Sequence, residues 1–244
     1  SNVLLQLRDS KLSIVATDLD IIFYDETSEV EIIKEGSSTT SAAILYDILR
    51  KISSNSDIKF DLKSENKLSL QSDNSDFNLL CLPTDNFPTF EDNFTGNEIH
   101  LDNKKFSKLI GKTRISISND DTRHYLNGVF LHLTESNGKR FLTGVATDSH
   151  RLSSSSIEVE NISDFHSLIL PRKTVFQLSS LLSENSGQLI MQTSENKIKF
   201  KIGNIKLISK VIDGKFPDYK KVVPLNNDKT LIVHSKDFVN SIER

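Results

Sequence analysis

The chain has 244 residues, 36% of them hydrophobic and 26% charged, with a formal net charge of −3. That is enough apolar material for one large domain or two ordinary ones, and it excludes a disordered or low-complexity chain. The single cysteine, Cys81, excludes an intrachain disulfide framework and a cysteine-based zinc cluster.

Cys81 sits in Leu79-Leu80-Cys81-Leu82 and reads as a small buried hydrophobe. No apolar run approaches the roughly 20 residues of a membrane span. Residues 1–8 alternate and lack the basic-then-apolar design of a signal peptide. A soluble protein of a reducing compartment, the cytoplasm, is expected. The charge is uneven: residues 1–95 hold 8 Lys+Arg against 17 Asp+Glu (−9), and residues 96–244 hold 22 against 16 (+6). A basic part beside an acidic one points to a polyanion or an acidic partner, although charge alone also describes solvated surface.

Along the chain, Leu45, Ile48, Leu49 and Ile52 fall at i, i+3, i+4, i+7 and predict a helix. Residues 58–63 alternate apolar and polar and predict a strand with one wet face. Phe106, Leu109 and Ile110 predict a second helix, and residues 114–118 alternate again as a strand. Val175, Leu178 and Leu182 predict a third helix behind a helix-opening Pro171, and residues 197–202 another strand. Helices on one side of antiparallel sheets make an α+β fold.

The chain also repeats itself. Ala16-Thr17-Asp18-Leu19 returns as Ala146-Thr147-Asp148-Ser149, and Ser64-Glu65-Asn66-Lys67-Leu68 as Ser194-Glu195-Asn196-Lys197-Ile198, both at an offset of 130. Asn86-Phe87-Pro88 returns as Lys215-Phe216-Pro217 at 129. The second copy opens at residues 99–106, and residues 231–238 resemble that opening. The reading is most of one domain (1–95), one whole domain (96–224) and the start of a third (225–244). On this spacing the first copy lacks about 30 residues at its start. Copy two should run strand, helix, three strands, twice over.

Catalytic motifs are weak. Asp148-Ser149-His150 has the residue types of a triad, but neighbours on an extended segment point to alternate faces and cannot converge. No Gly-x-Ser-x-Gly elbow and no glycine-rich phosphate loop is present; Gly128, Gly138 and Gly144 are isolated. The six histidines form no HExxH, so no metal and no cofactor is expected. Asp120-Asp121 reads as a polar turn. The informative residues are basic. Lys104, Lys108 and Lys112 lie four apart on one helical face, with Phe106, Leu109 and Ile110 on another. Lys105 and Arg114 accompany them, Arg172 and Lys173 open a further helix, and Arg50 and Lys51 close the first. A helix packed by its apolar face and showing lysines outward can meet phosphates without reading bases.

Three stretches then resemble the bacterial sliding clamp, the β subunit of the replicative DNA polymerase. They are Thr122-Arg123-His124-Tyr125-Leu126-Asn127-Gly128, Val145-Ala146-Thr147-Asp148-Ser149-His150-Arg151-Leu152, and Asp213-Gly214-Lys215-Phe216-Pro217-Asp218-Tyr219-Lys220-Lys221-Val222-Val223-Pro224. The resemblance implies the DNA-clamp fold: repeated domains with antiparallel sheet outside and two helices inside. It implies a non-catalytic processivity factor, a head-to-tail homodimer ring around duplex DNA, with roughly a further 110 residues after Arg244 to complete a third repeat. Its partners would be duplex DNA, replicative polymerase subunits, the clamp loader and other proteins carrying a clamp-binding motif, with no membrane role.

By motif position, Leu126, Thr147, Ser149, His150, Arg151, Leu152, Pro217, Lys221 and Val222 would line a peptide cleft between the second and third domains. The family often has glycine at Ser149 and arginine at Lys221. DNA contacts would come from Arg50, Lys104, Lys108, Lys112, His124, Tyr125, Arg172 and Lys173, with Tyr125 equally readable as core packing. Phe77, Asn74 and Asp76 would lie at the dimer interface, the last two where some relatives carry arginines. Competing readings are a β-rich peptide-binding module with no DNA role and a hydrolase built on Asp148, Ser149 and His150.

Overall fold

The computed structural model describes residues 2–89, 92, 94, 96–160, 162 and 165–243. They fall into two compact units divided after Gly214.

Within the larger unit the first copy supplies β1 (Asn2–Arg8), β2 (Lys11–Thr17), β3 (Ile21–Thr27), β4 (Gly36–Ser41), α1 (Ala42–Leu49), β5 (Lys59–Ser64), β6 (Lys67–Ser72) and β7 (Ser75–Leu80). The second supplies β8 (Ile99–Asp102), α2 (Asn103–Thr113), β9 (Gly128–Ser136), β10 (Lys139–Thr147), β11 (Leu152–Glu158), β12 (Leu168–Pro171), α3 (Arg172–Glu184), β13 (Gln188–Thr193), β14 (Lys197–Ile202) and β15 (Ile205–Lys210). Copy two is therefore strand, helix, three strands, twice, as its periodicity predicts. Hairpin turns take residues that tolerate positive φ: Asp9 and Ser10 between β1 and β2, and Asn137-Gly138 between β9 and β10.

All pairing is antiparallel. One sheet runs β4-β1-β2-β3-β15-β14-β13-β8, a second β11-β10-β9-β12, a third β5-β6-β7. The eight-stranded sheet crosses from one repeat to the other at β3 and β15, in the register Tyr24↔Lys206, Phe23↔Leu207, Ile22↔Ile208, Ile21↔Ser209.

The main core lies between the helices and sheets of copy two. Phe106, Leu109 and Ile110 of α2 and Val175 and Leu178 of α3 are all fully buried. Each such burial contributes about 1.5–3 kcal/mol. Phe106 meets Phe200 of β14 with ring centroids 6.0 Å apart. Gly144 on β10 is where α2 comes closest: a Cβ there would lie 2.6 Å from Leu109 Cδ2. A smaller cluster, with Leu45, Leu68, Leu70 and Cys81, forms the core of copy one.

Two expectations need correction. Residues 114–118 are not a strand: Arg114–Ser116 is a 3-10 turn that continues α2. Thr113 Oγ1 donates back to the carbonyl of Leu109 (2.9 Å), and Ser116 Oγ meets Ser153 Oγ (2.7 Å), so the turn carries the alternation by itself. Ile115 points out and Ile117 in. The first helix also stops at Leu49, and Lys51 and Ile52 follow in a tightened turn bonded to the carbonyls of Ile48 and Leu49.

In the smaller unit, Tyr219–Lys221 is a single 3-10 turn and α4 (Ser235–Ile242) is a helix. Ser235 is the counterpart of Asn103 in the sequence match, and both helices begin there.

Candidate docking and nucleic-acid surfaces

The first candidate surface centres on the turn between β10 and β11. Thr147 Oγ1 donates to the carbonyl of Arg151 (2.8 Å) and accepts from the amide of Ser149 (3.1 Å). Asp148 Oδ1 accepts from the amides of His150 and Arg151, each at 3.0 Å, and its Oδ2 holds Arg151 Nε at 2.9 Å. These bonds close the turn and force Ser149 to φ +76°. The first repeat builds the same object. Thr17 Oγ1 donates to the carbonyl of Ile21 (2.8 Å), Asp18 Oδ1 accepts from the amides of Asp20 and Ile21, and Leu19 sits at φ +79°.

The amides of Arg151 and His150, and then the Arg151 guanidinium, pull the Asp148 carboxyl down to about 2 against the pull of burial. At Asp18 burial would raise the carboxyl, but the Lys173 ammonium and the amides of Ile21 and Asp20 outweigh it and leave it lowered.

Asp148, Ser149 and His150 therefore form a turn and not an extended run. The Asp148 carboxylate is spent on the turn's backbone and on Arg151, and Ser149 Oγ accepts from Arg123 Nη1 at 2.7 Å. Arg123 also donates through Nε to Asp120 Oδ2 (2.8 Å), and Asp120 caps the 3-10 turn Asp121–Leu126 through the amide of Thr122. One guanidinium thus ties residues 118–126 to the 147–151 turn, a role that sequence reading missed because its two partners lie on different loops.

Leu126 is buried, at 2% exposure, while Thr147 and Leu152 are half-buried and Ser149, His150 and Arg151 exposed. His124 and Tyr125 meet edge to face at 5.8 Å. Tyr125 is half-buried, and a Cβ on Gly214 would lie 3.2 Å from its Cβ. Pro217, Lys221 and Val222 belong to the smaller unit and are exposed, with Lys221 Nζ 3.5 Å from Asp218 Oδ2.

The second candidate surface is helical. Asp102 caps α2 through the amide of Lys105 (2.8 Å). Lys104, Lys108 and Lys112 are exposed on the face opposite the buried Phe106, Leu109 and Ile110. Among the described residues none of these three lysines is ion-paired. Arg50 caps the C-terminus of α1 and pairs with Asp47 at 3.1 Å. Lys173 is paired with Asp18 of the first repeat, and Arg172 donates to Asn119 Oδ1. Phe176, one turn after Arg172, is 40% exposed, with the guanidiniums of Arg114 and Arg172 both near its ring. The i, i+4 spacing of Arg172 and Phe176 was the available signal for it.

A third surface lies on copy one, a cleft of about 410 Å³ lined by Ile44, Ile48 and Ile52 beside Phe77 of β7. Asn74 lies exposed in the β6–β7 turn, and Asp76 accepts from Gln71 Nε2 (3.0 Å) and Ser69 Oγ (3.1 Å) within its own sheet. Among the described residues no helix is long and apolar enough to cross a membrane.

Repeats of helices packed on antiparallel sheets and joined edge to edge define the DNA-clamp fold. Family models of the DNA polymerase III beta subunit match twice: the N-terminal domain over residues 1–91 and the central domain over residues 100–218. The chain belongs to the bacterial β sliding clamp family. It is 36% identical to the beta sliding clamp of Caulobacter vibrioides over 247 residues, covering 100% of this chain and 66% of that protein. Against the Escherichia coli K12 clamp it is 36% identical over 230 residues, covering 94% and 62%. It thus spans slightly less than two thirds of the length of these relatives. The crystal structure of Caulobacter crescentus pol III beta superposes with a TM-score of 0.94 at 36% identity, covering 100% of this chain and 66% of that one. A Bartonella birtlesii clamp bound to griselimycin gives 0.93 at 36%, covering 100% and 65%.

The two twin turns carry a stability prediction. Relief of the left-handed strain at exposed Leu19 makes Leu19→Gly stabilising by about 1 kcal/mol. Ser149→Gly gains less, because Arg123 loses an acceptor. Thermal melts of both variants check the order, and a destabilised Leu19→Gly would contradict it. The Asp148 carboxyl is depressed, so its support of the turn is fully present above the ordinary carboxylate range and is lost as pH falls through about 2. A carboxyl ¹³C titration should show that midpoint in the wild type, and a midpoint near the ordinary 3.8 would refute the bonding described.

Proposed function

We propose that the chain works as part of a processivity clamp for bacterial DNA replication. Two protomers join head to tail in a ring that encircles duplex DNA, tethers the replicative polymerase, and takes the clamp loader and other partners through short peptides. Residues 1–95 are its first domain, 96–224 its second, and 225–244 the start of a third. The protein acts in the cytoplasm by topology and needs no catalysis. The observation that supports this best is the lysine face of α2, unpaired among the described residues and standing on a helix pair whose opposite side is core. Loose, sequence-independent phosphate contacts are what a sliding ring requires.

The duplex-facing set is Lys104, Lys108, Lys112, Arg50, His124, Tyr125 and Arg172. Lys173 belongs to it through the inter-repeat pair with Asp18, which would be exchanged for or shared with a phosphate. Peptide docking is assigned by motif position to Leu126, Thr147, Ser149, His150, Arg151 and Leu152 of the larger unit, and by the same motif to Pro217, Lys221 and Val222 of the smaller. An extended peptide presents apolar anchors to such a surface, and because Leu126 is covered, covering side chains must move to admit it. The Phe77 cleft, together with Asn74 and Asp76 of the same β6–β7 hairpin, is the first domain's half of the subunit interface.

Reversing Lys104, Lys108 and Lys112 to Glu abolishes retention on closed circular duplex, measured by gel filtration of the loaded protein. It also flattens the salt dependence of duplex binding by about 2–3 in log K against log salt. Unchanged retention would remove α2 from the duplex-facing surface. For peptide docking, Leu126→Ala weakens a polymerase-derived clamp-binding peptide by about 1–3 kcal/mol in calorimetric titration, with the melting temperature as the folding control. An unaltered affinity in a folded variant rejects the assignment.

A further inference from the structure

The junction of α2 and α3 holds an arrangement that helix packing does not call for. Arg114 is the C-cap of α2, and Arg172 is the first residue of α3. Both guanidiniums converge on one ring: Arg114 Cζ lies 5.5 Å from the Phe176 centroid and Arg172 Cζ 5.2 Å. Each is steadied by a neutral oxygen, Arg114 Nη1 by Ser179 Oγ at 3.0 Å and Arg172 by Asn119 Oδ1. Among the described residues neither has a carboxylate within ion-pair distance. Neutral acceptors orient a guanidinium but leave its charge uncompensated, and two like charges gathered at one ring repel. The ring's quadrupole offsets part of that cost at each contact. Pro171 gives α3 no side-chain cap, so the positive end of the helix adds to the same potential.

We propose that Arg114, Phe176 and Arg172 form a fork for one phosphate group, with Phe176 as the positioning residue that holds the two cations ready. The ligand class is a phosphate monoester or phosphodiester, and the source that the neighbouring lysine face favours is the backbone of duplex DNA. The inference rests on the clamp reading for that source, while the fork itself is a site for phosphate whatever carries it. A planar guanidinium presents paired donors to phosphate oxygens, which gives the fork geometry as well as charge. Phe176 touches no phosphate, so its removal changes no charge and reports only on preorganisation.

The test uses the full chain, the variants Phe176→Leu and Arg114→Gln, their double, and a short linear duplex titrated over a range of salt. Phe176→Leu should weaken duplex binding by about threefold or more with its melting temperature kept. Arg114→Gln should lower the salt slope by about 1. The double variant should lose less than the product of the singles, because both act through one contact. Separately, inorganic phosphate should move the Nε–H resonances of Arg114 and Arg172 together in the wild type and not in Phe176→Leu. Phosphate shifts without duplex binding would sink the DNA source and leave the fork standing. Loss of DNA binding on lysine reversal, with Phe176→Leu unchanged in affinity and slope, would overturn the fork and leave the clamp reading intact. Guanidinium resonances that ignore phosphate overturn the fork as well.

Discussion

Everything else in the larger unit depends on one seam, the backbone ladder between β3 and β15. An edge strand carries a row of unmatched N–H and C=O groups, and here the edge of one repeat satisfies the edge of the next. The seam is also packed on both faces. On one side Ile21 joins the main core of copy two, with Phe23 packed against it. On the other, Leu4, Val15, Ile22 and Ile208 make a small cluster of their own under Tyr24, Phe87 and Phe94. Phe87 and Phe94 come from the connector between the repeats, and Asp92 of that connector pairs with Lys199 of β14 at 2.7 Å. Hydrogen bonding sets the direction of the joint, and the two apolar faces resist its bending.

The second organising device is a turn, used twice. Thr and Asp side chains take over the backbone bonding of the chain reversal before β3 and again before β11. This bonding pattern needs a residue at positive φ, and the protein places Leu19 and Ser149 there in spite of the strain. The reversal before β3 feeds the seam. The reversal before β11 sits beside the loop that carries His124, Tyr125 and Leu126, and Arg123 ties the two together. One local motif thus serves a structural joint in one repeat and a candidate docking surface in the other. What differs is what the rest of the fold brings next to it.

Cations in this chain sort by partner. Lys199 is matched to Asp92 of the connector, Lys210 and Lys173 to Asp20 and Asp18 between repeats, and Arg50 to Asp47 across the end of α1. The three lysines of α2, with Arg114 and Arg172, have no such partner among the described residues. Partially exposed pairs of this kind contribute little to stability, so the sorting matters more for where uncompensated potential remains. Part of that potential remains on the helical side of copy two, in the part of the sequence with the positive balance.

Periodicity and self-similarity were enough to give the α+β class, the order of elements in copy two, the opposed lysine and apolar faces of α2, and the recurrence of the Ala-Thr-Asp motif, but not that this motif is a turn rather than an extended run. These are local properties: a period of 3.6 or 2 is fixed by backbone geometry and read directly from side-chain polarity. The stretch at Arg114–Ser116 misled because alternation in five residues is satisfied by a turn as well as by a strand, and only the absence of a pairing edge decides between them. The same limit applies to the sites. The residues of the 147–152 turn were legible as a motif, whereas the Arg123–Ser149 tie, the Lys173–Asp18 pair and the Arg114–Phe176–Arg172 cluster join residues 26, 155 and 62 positions apart. No sequence period encodes such distances. They are set when two sheets and two helices pack on one core, and so the tertiary structure alone decided which charges are spent and which are left over.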